Sequence, residues 1–205
     1  MSVSSKVIFW DVDTQVDFML AGGKLYVPGA EQIIPNLKRL VAAAERGQVF
    51  LVSSTDAHTM EDAEFQQWPP HCLRGTAGQL KIPETTVPGF YVITNCPQAP
   101  VPEDITPKYR QVVLEKQALD VFTNPNTERL LAVLGRQREY VVFGVVTEYC
   151  VWHTAKGLLE RGCRVALVED AIRTLHNADG QRALEELRAR GARLITTEAA
   201  LGMLA

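Results

Sequence analysis

The sequence predicts an α/β sandwich built around a parallel sheet. Six short runs rich in β-branched residues recur along the chain: Val7–Asp13, Val49–Ser54, Val112–Lys116, Tyr140–Val146, Arg164–Asp170 and Ala192–Thr197. Their near-continuous apolar character is that of strands covered on both faces. Amphipathic helical patterns lie between most of them, and strand–helix alternation is the signature of a parallel α/β fold.

The elements follow in order. After the first run, Ile33, Ile34, Leu37, Leu40 and Val41 form the apolar stripe of a helix that Gly47 closes. After the second run, Glu61 to Pro107 is rich in proline and polar residues and holds one short strand, Phe90–Thr94. Irregular segments of this length are commonly functional or disordered, and Trp68, His71 and Cys72 favour function here. Asn124-Pro125 opens the next helix, with Pro suited to a first turn ahead of Leu130, Leu131 and Leu134. A third helix runs from Thr147 to Arg161 and stops at Gly162. A fourth carries Ala183, Leu184 and Leu187 and stops at Gly191.

Composition narrows the function classes. The 205 residues, 46% of them hydrophobic, suit a single domain over 1–205 with a core that needs no staples. A balance of 21 basic against 24 acidic residues argues against a nucleic-acid binder dominated by phosphate contacts. The longest apolar stretch, Tyr140 to Val146, is far shorter than the roughly 18 residues of a membrane span. Asp11 and Asp13 interrupt the apolar run Val7–Trp10, so no secretory pattern is present and a cytoplasmic location is expected. Cys72, Cys96, Cys150 and Cys163 show no C-x-x-C spacing, which suggests neither a redox pair nor a four-cysteine zinc site.

Ligands of open parallel sheets bind beyond the carboxyl ends of the strands. Asp13, Asp56 with His58, Lys116, Thr147 to Cys150, and Asp170 fall there. Cys150 follows a strand with Thr147 as N-cap, where a helix start would stabilise a thiolate or hold an oxyanion; a buried structural thiol is the alternative. Asp11 and Asp13 share a strand face, with only Asp13 at the edge. It reads as a base for the thiol or as a loop carboxylate. Lysine at the end of a buried strand, as at Lys116, needs a charged partner. Asp56, His58 and His71 suit Zn²⁺ first, with Mn²⁺ and Fe²⁺ as alternatives; unrelated polar loop residues are the competing reading. His176 also lies near this edge and reads as structural or capping, while His153 carries no assigned chemistry.

Together these segments resemble the isochorismatase-like cysteine hydrolases, and within them the nicotinamidase type, from Val7 to about Leu201. Asp13-Thr-Gln-Val-Asp-Phe18 is similar to the family's D-x-Q-x-D-F opening, and Asp56-Ala-His58 to its metal motif. Trp68-Pro-Pro-His71-Cys72-x-x-Gly75-Thr76 resembles W-P-x-H-C-x-x-G-T, and Gly144-Val-Val-Thr-Glu-Tyr-Cys150-Val resembles the nucleophile segment. The resemblance implies a three-layer sandwich around a six-stranded parallel sheet in the order 3-2-1-4-5-6. It also implies a triad of Asp13, Lys116 and Cys150, with metal ligands Asp56, His58 and His71. A cis peptide would fall at Val145–Val146, with the Val146 and Cys150 N–H groups as oxyanion hole. Phe18 and Trp68 would flank the substrate ring, and the family favours homo-oligomers.

Two departures stand out. No further histidine occurs between Thr59 and Phe65, so a fourth metal contact is unassigned. The segment after the lysine reads Lys116-Gln-Ala-Leu-Asp-Val-Phe122, where glycine and Y-S-x-F are common in nicotinamidases. The expected activity is hydrolysis of nicotinamide through a thioester. Hydrolysis of another small amide, ureide or carbamoyl compound is the second reading, and a non-catalytic metal- or ligand-binding protein the third.

Overall fold

The structure is a computed structural model that describes residues 6–204. Its strands are β1 (Val7–Val12), β2 (Phe50–Asp56), β3 (Tyr91–Ile93), β4 (Gln111–Lys116), β5 (Glu139–Val145), β6 (Arg164–Arg173) and β7 (Arg193–Ile195). They form one sheet in the order β3-β4-β2-β1-β5-β6-β7, and every pairing is parallel. The expected six-stranded sheet is thereby corrected to seven. The short strand of the irregular segment pairs Tyr91–Ile93 with Val112–Leu114 and becomes the sheet edge. Only Ile93 of its three residues is buried, so its hydrophobic signal is too weak to read as a sheet member.

The helices are α1 (Val16–Met19), α2 (Ile34–Glu45), α3 (Ile105–Lys108), α4 (Thr127–Leu134), α5 (Trp152–Glu160), α6 (Asn177–Ala189) and α7 (Thr197–Gly202). They flank the sheet, α2 packing with α7 and α5 with α6. Inside, β1 and β2 are buried along their whole length, as central parallel strands must be. Phe9 of β1 meets Phe143 of β5 edge to face at 5.9 Å. No helix among the described residues is long and apolar enough to cross a membrane.

Three boundaries differ from expectation for identifiable reasons. α4 begins at Thr127 rather than Pro125, because the Asn124 and Asn126 side chains bind the Glu115 and Cys96 carbonyls, each at 2.8 Å. The predicted helix from Thr147 divides into a π-helical turn, Thr147–Val151, and α5. Strand β6 continues past Asp170, whose carboxylate accepts from the Thr197 N–H (2.7 Å) and hydroxyl (2.9 Å) at the start of α7. Asp170 therefore fastens a helix and is not part of the site.

Candidate active site

Strand β1 stops at Val12, and Asp13 turns away with a left-handed φ of 51°. This reverses the expected alternation. Asp11 accepts from Ser53, whereas Asp13 accepts from the next residue, Ser54, at 2.6 Å. Consecutive strand residues face opposite sides, so Asp11 and Asp13 do not share a face. The other oxygen of Asp13 lies 2.9 Å from Lys116 Nζ. Lys116 ends β4, is fully buried, and also ion-pairs with Asp56. Its Nζ is 3.6 Å from Cys150 Sγ on the π-helical turn. Asp13, Lys116 and Cys150, distant in sequence, thus meet at one point.

Gly144 lets this happen. A Cβ there would stand 2.1 Å from the Val12 carbonyl oxygen, at a φ of +116° that disfavours side chains. The close approach brings β5 against the end of β1, just ahead of the Val145–Val146 peptide, which is cis as the resemblance implied. Val146, rather than Thr147, occupies the N-cap position, and no side chain caps the turn.

Burial and neighbouring charges pull these groups in opposite directions. Burial disfavours charge on Lys116, but Asp13, Asp56 and Cys150 outweigh it and hold the ammonium well above its usual range. For Asp56, burial opposes ionisation, yet Lys116 and the two imidazoles keep its carboxyl well below the usual value. Burial raises Asp13, with Lys116 opposing and Asp56 adding to the rise. Burial also pushes the Cys150 thiol well up against the pull of Lys116. Burial thus offsets the help that a helix start would give a thiolate at Cys150. Both shifts favour a protonated Cys150 beside an Asp13 carboxylate of raised basicity.

Against this cluster lies a group of metal donors. Asp56, His58, Glu64 and His71 each offer a ligand atom, all within 4.8 Å of one another. His71 Nδ1 lies 2.8 Å from the Pro69 carbonyl, and His58 Nδ1 lies 2.9 Å from Asp62. Both arrangements turn Nε2 toward the cluster, and both Nε2 atoms are buried without a hydrogen-bond partner. His71 Nε2 is 3.7 Å from Asp56 and 3.7 Å from Glu64. Two orphaned imidazole nitrogens facing two carboxylates fit a divalent cation. Glu64, which sequence reasoning missed, offers a candidate fourth donor where no third histidine occurs. It sits on a 3₁₀ turn, Ala63–Gln66, that carries no spacing signal.

The opening motif braces both clusters. The Gln15 side-chain amide donates to the Asp56 carbonyl at 2.8 Å and accepts from the Asp56 N–H at 2.7 Å. Asp17 accepts from the Cys72 N–H at 2.7 Å and the Lys24 N–H at 2.9 Å, which holds the residue after His71 in place. Asp13, Asp56, Glu64, His71 and Cys150 open together into a cavity of about 390 Å³, mouth included. Phe18 and Trp68 line it, and Leu119, Tyr149 and Leu175 are among the other residues of its largely apolar wall. Trp68 meets Tyr149 edge to face at 5.2 Å, and Phe18 packs on His71 at 5.3 Å. His176 lies exposed at the start of α6 and its side chain caps nothing. His153 meets Trp152 edge to face, outside the cavity.

The fold and site define an α/β protein with a buried Asp–Lys–Cys cluster beside a candidate metal centre. The model of the isochorismatase domain matches residues 94–199, and the chain belongs to the isochorismatase-like hydrolase family. It is 23% identical over 206 residues to the nicotinamidase of Escherichia coli (strain K12), covering 90% of this chain and 92% of that protein. To the N-carbamoylsarcosine amidase of an Arthrobacter species it is 28% identical over 149 residues, 71% of this chain and 51% of that protein. Among solved structures, the pyrazinamidase of Pyrococcus horikoshii in complex with zinc superposes with a TM-score of 0.77 at 27% identity, covering 93% and 99% of the two chains.

Proposed function

We propose that the protein is a metal-assisted cysteine amidohydrolase that converts nicotinamide to nicotinate and ammonia. The observation that carries this reading is Lys116 Nζ, 2.9 Å from Asp13 and 3.6 Å from Cys150 Sγ, buried behind the two residues that line the cavity. A nucleophilic thiol needs a base to take its proton and a cation to hold the resulting charges together.

In the proposed reaction Asp13 takes the Cys150 proton, and the sulfur attacks the amide carbonyl carbon. The Val146 and Cys150 N–H groups receive the oxyanion. Asp13 returns the proton to the departing nitrogen, which leaves as ammonia with a thioester behind. A water then gives its proton to Asp13 and its oxygen to the acyl carbon. The acid is released and the thiol restored. Asp56, His58, Glu64 and His71 would hold the ion, Zn²⁺ first by donor type and Mn²⁺ or Fe²⁺ as alternatives. When bound, it supplies a Lewis-acid contact for a polar atom of the substrate. Phe18 and Trp68 pack the ring faces.

The cavity wall favours an uncharged amide. Its lining includes no arginine or lysine to receive a substrate carboxylate, and of its three acidic residues Asp56 and Glu64 would be committed to the ion, which leaves Asp13. N-carbamoylsarcosine carries such a group; nicotinamide does not. Ammonia release from nicotinamide, pyrazinamide and N-carbamoylsarcosine by zinc-loaded protein tests the reading. Turnover of the two neutral amides, abolished in Cys150→Ala, is expected. Turnover of N-carbamoylsarcosine alone, or full activity of Cys150→Ala, overturns it.

A further inference from the structure

The proposed chemistry leaves a second buried ion pair unused. Asp11 of β1 is fully buried, and Lys81, whose side chain is 6% exposed, ion-pairs with it. Neither residue lines the cavity. Lys81 Nζ also donates to the Thr14 hydroxyl at 2.7 Å, and the Asp11 carboxylate lies 3.0 Å from that hydroxyl and 3.1 Å from Ser53 Oγ. One Asp11 oxygen remains buried without a partner.

Such a pair is weak evidence for stability, because apolar residues of similar volume often serve as well or better. Its placement is what matters. Asp11 and Thr14 bracket Asp13, the residue with the left-handed turn. Lys81 grips both sides of that turn at once. Its own segment is tied down next to them: Val16 N–H donates to the Leu80 carbonyl (2.8 Å) and Ile82 N–H to the Thr14 carbonyl (3.0 Å). Gln15, bridged to Lys81, donates to the Gln79 carbonyl at 2.7 Å while its amide holds Asp56.

We propose that the Asp11–Lys81 pair is a positioning device for Asp13, holding the turn that aims its carboxylate at Lys116 and Cys150. This rests on the reading of Asp13 as the base for Cys150. A displacement of about 1 Å at a reacting group costs on the order of 100-fold in rate. Lys81 and Asp11 therefore act on kcat while leaving substrate binding in place.

The test compares Lys81→Met, Lys81→Arg and the double variant Asp11→Asn/Lys81→Met, which leaves no unpaired charge if the single change prevents folding. Circular dichroism and thermal melts establish that each is folded. Two readouts follow: kcat and KM for nicotinamide, and the rate of iodoacetamide alkylation at the Cys150 peptide by mass spectrometry, with Asp13→Asn as reference. The expected result in Lys81→Met and the double variant is a kcat loss of about 100-fold with KM little changed. Cys150 alkylation slows toward the Asp13→Asn rate, and Lys81→Arg recovers both. A folded double variant that alkylates at the wild-type rate overturns the proposal. Alkylation needs no substrate, so this arm decides the matter even if nicotinamide proves not to be hydrolysed.

Discussion

Asp56 and Lys116 are direct cross-strand partners, set opposite each other by the parallel register of β2 and β4. One Asp56 oxygen takes the Lys116 ammonium; the other faces His58 Nε2 at 3.9 Å and His71 Nε2 at 3.7 Å. A single carboxylate thus belongs to both the metal-donor group and the Asp–Lys–Cys cluster. Backbone register, rather than loop placement, holds the two together.

Replacing Lys116 tests that junction. Lys116→Met leaves the buried Asp13 and Asp56 carboxylates without their common cation. Removing one partner of a buried pair destabilises by about 3–5 kcal/mol. Urea unfolding should show a loss of that size, and ammonia release should vanish in any fraction that remains folded. An unchanged unfolding midpoint would mean that the two carboxylates do not depend on Lys116.

The metal donors can be ranked by affinity. Glu64→Ala removes a ligand atom outright, whereas Asp62→Asn only weakens the contact that orients the His58 ring. Outer partners of metal-bound histidines are commonly worth about 10–100-fold in affinity. Competition with a zinc-chelating dye should place Asp62→Asn in that range and Glu64→Ala at or beyond it. Wild-type affinity in Glu64→Ala would remove Glu64 from the ligand set.

Much of this site is legible in the sequence because strand ends project functional side chains to one edge. Asp13, Asp56, Lys116 and Cys150 each sit at or just beyond the end of a buried apolar run, so pattern alone brings them to one edge. Glu64 escapes because its position depends on the path of an irregular loop, and a lone glutamate there looks like any solvated carboxylate. The bracing by Gln15 and Asp17 escapes for a related reason: their partners lie 41 and 55 residues away. Strict alternation puts Asp13 on the face of Asp11 because it assumes that the strand continues through Asp13, and the left-handed turn ends it. Strand β3 shows the limit for the fold: the short strand at Phe90–Thr94 is legible, but with one buried side chain in three residues nothing marks it as the edge of the parallel sheet.

Gly78 offers a test of that bracing away from the chemistry. A Cβ at this position would lie 2.1 Å from the Asp17 carboxylate, which must then move off the Cys72 N–H. Leaving that buried donor unsatisfied costs about 1–3 kcal/mol. Gly78→Ala should lower the unfolding free energy by that amount and weaken zinc binding through displacement of the adjacent His71. Loss of stability with zinc affinity intact would confine the role of Asp17 to the loop itself.

The metal centre should also reveal itself through opposite responses to pH. Burial works against a charged His58, but Asp56, Asp62 and Glu64 outweigh it and raise its pKa above the usual 6.5. A raised histidine stabilises the metal-free fold fully below its unfolded value, and that contribution is lost as pH rises through the folded value. A metal ion needs the unprotonated Nε2, so its apparent affinity rises over the same interval. Thermal melts of chelator-treated and zinc-loaded protein between about pH 5.5 and 8 should therefore diverge, because the usual histidine pKa lies inside that window. The metal-free protein loses the His58 contribution as pH rises, while the stabilisation by zinc grows. Parallel curves would show that His58 Nε2 does not exchange its proton for the metal, and Asp56, Glu64 and His71 would then have to hold the ion without it.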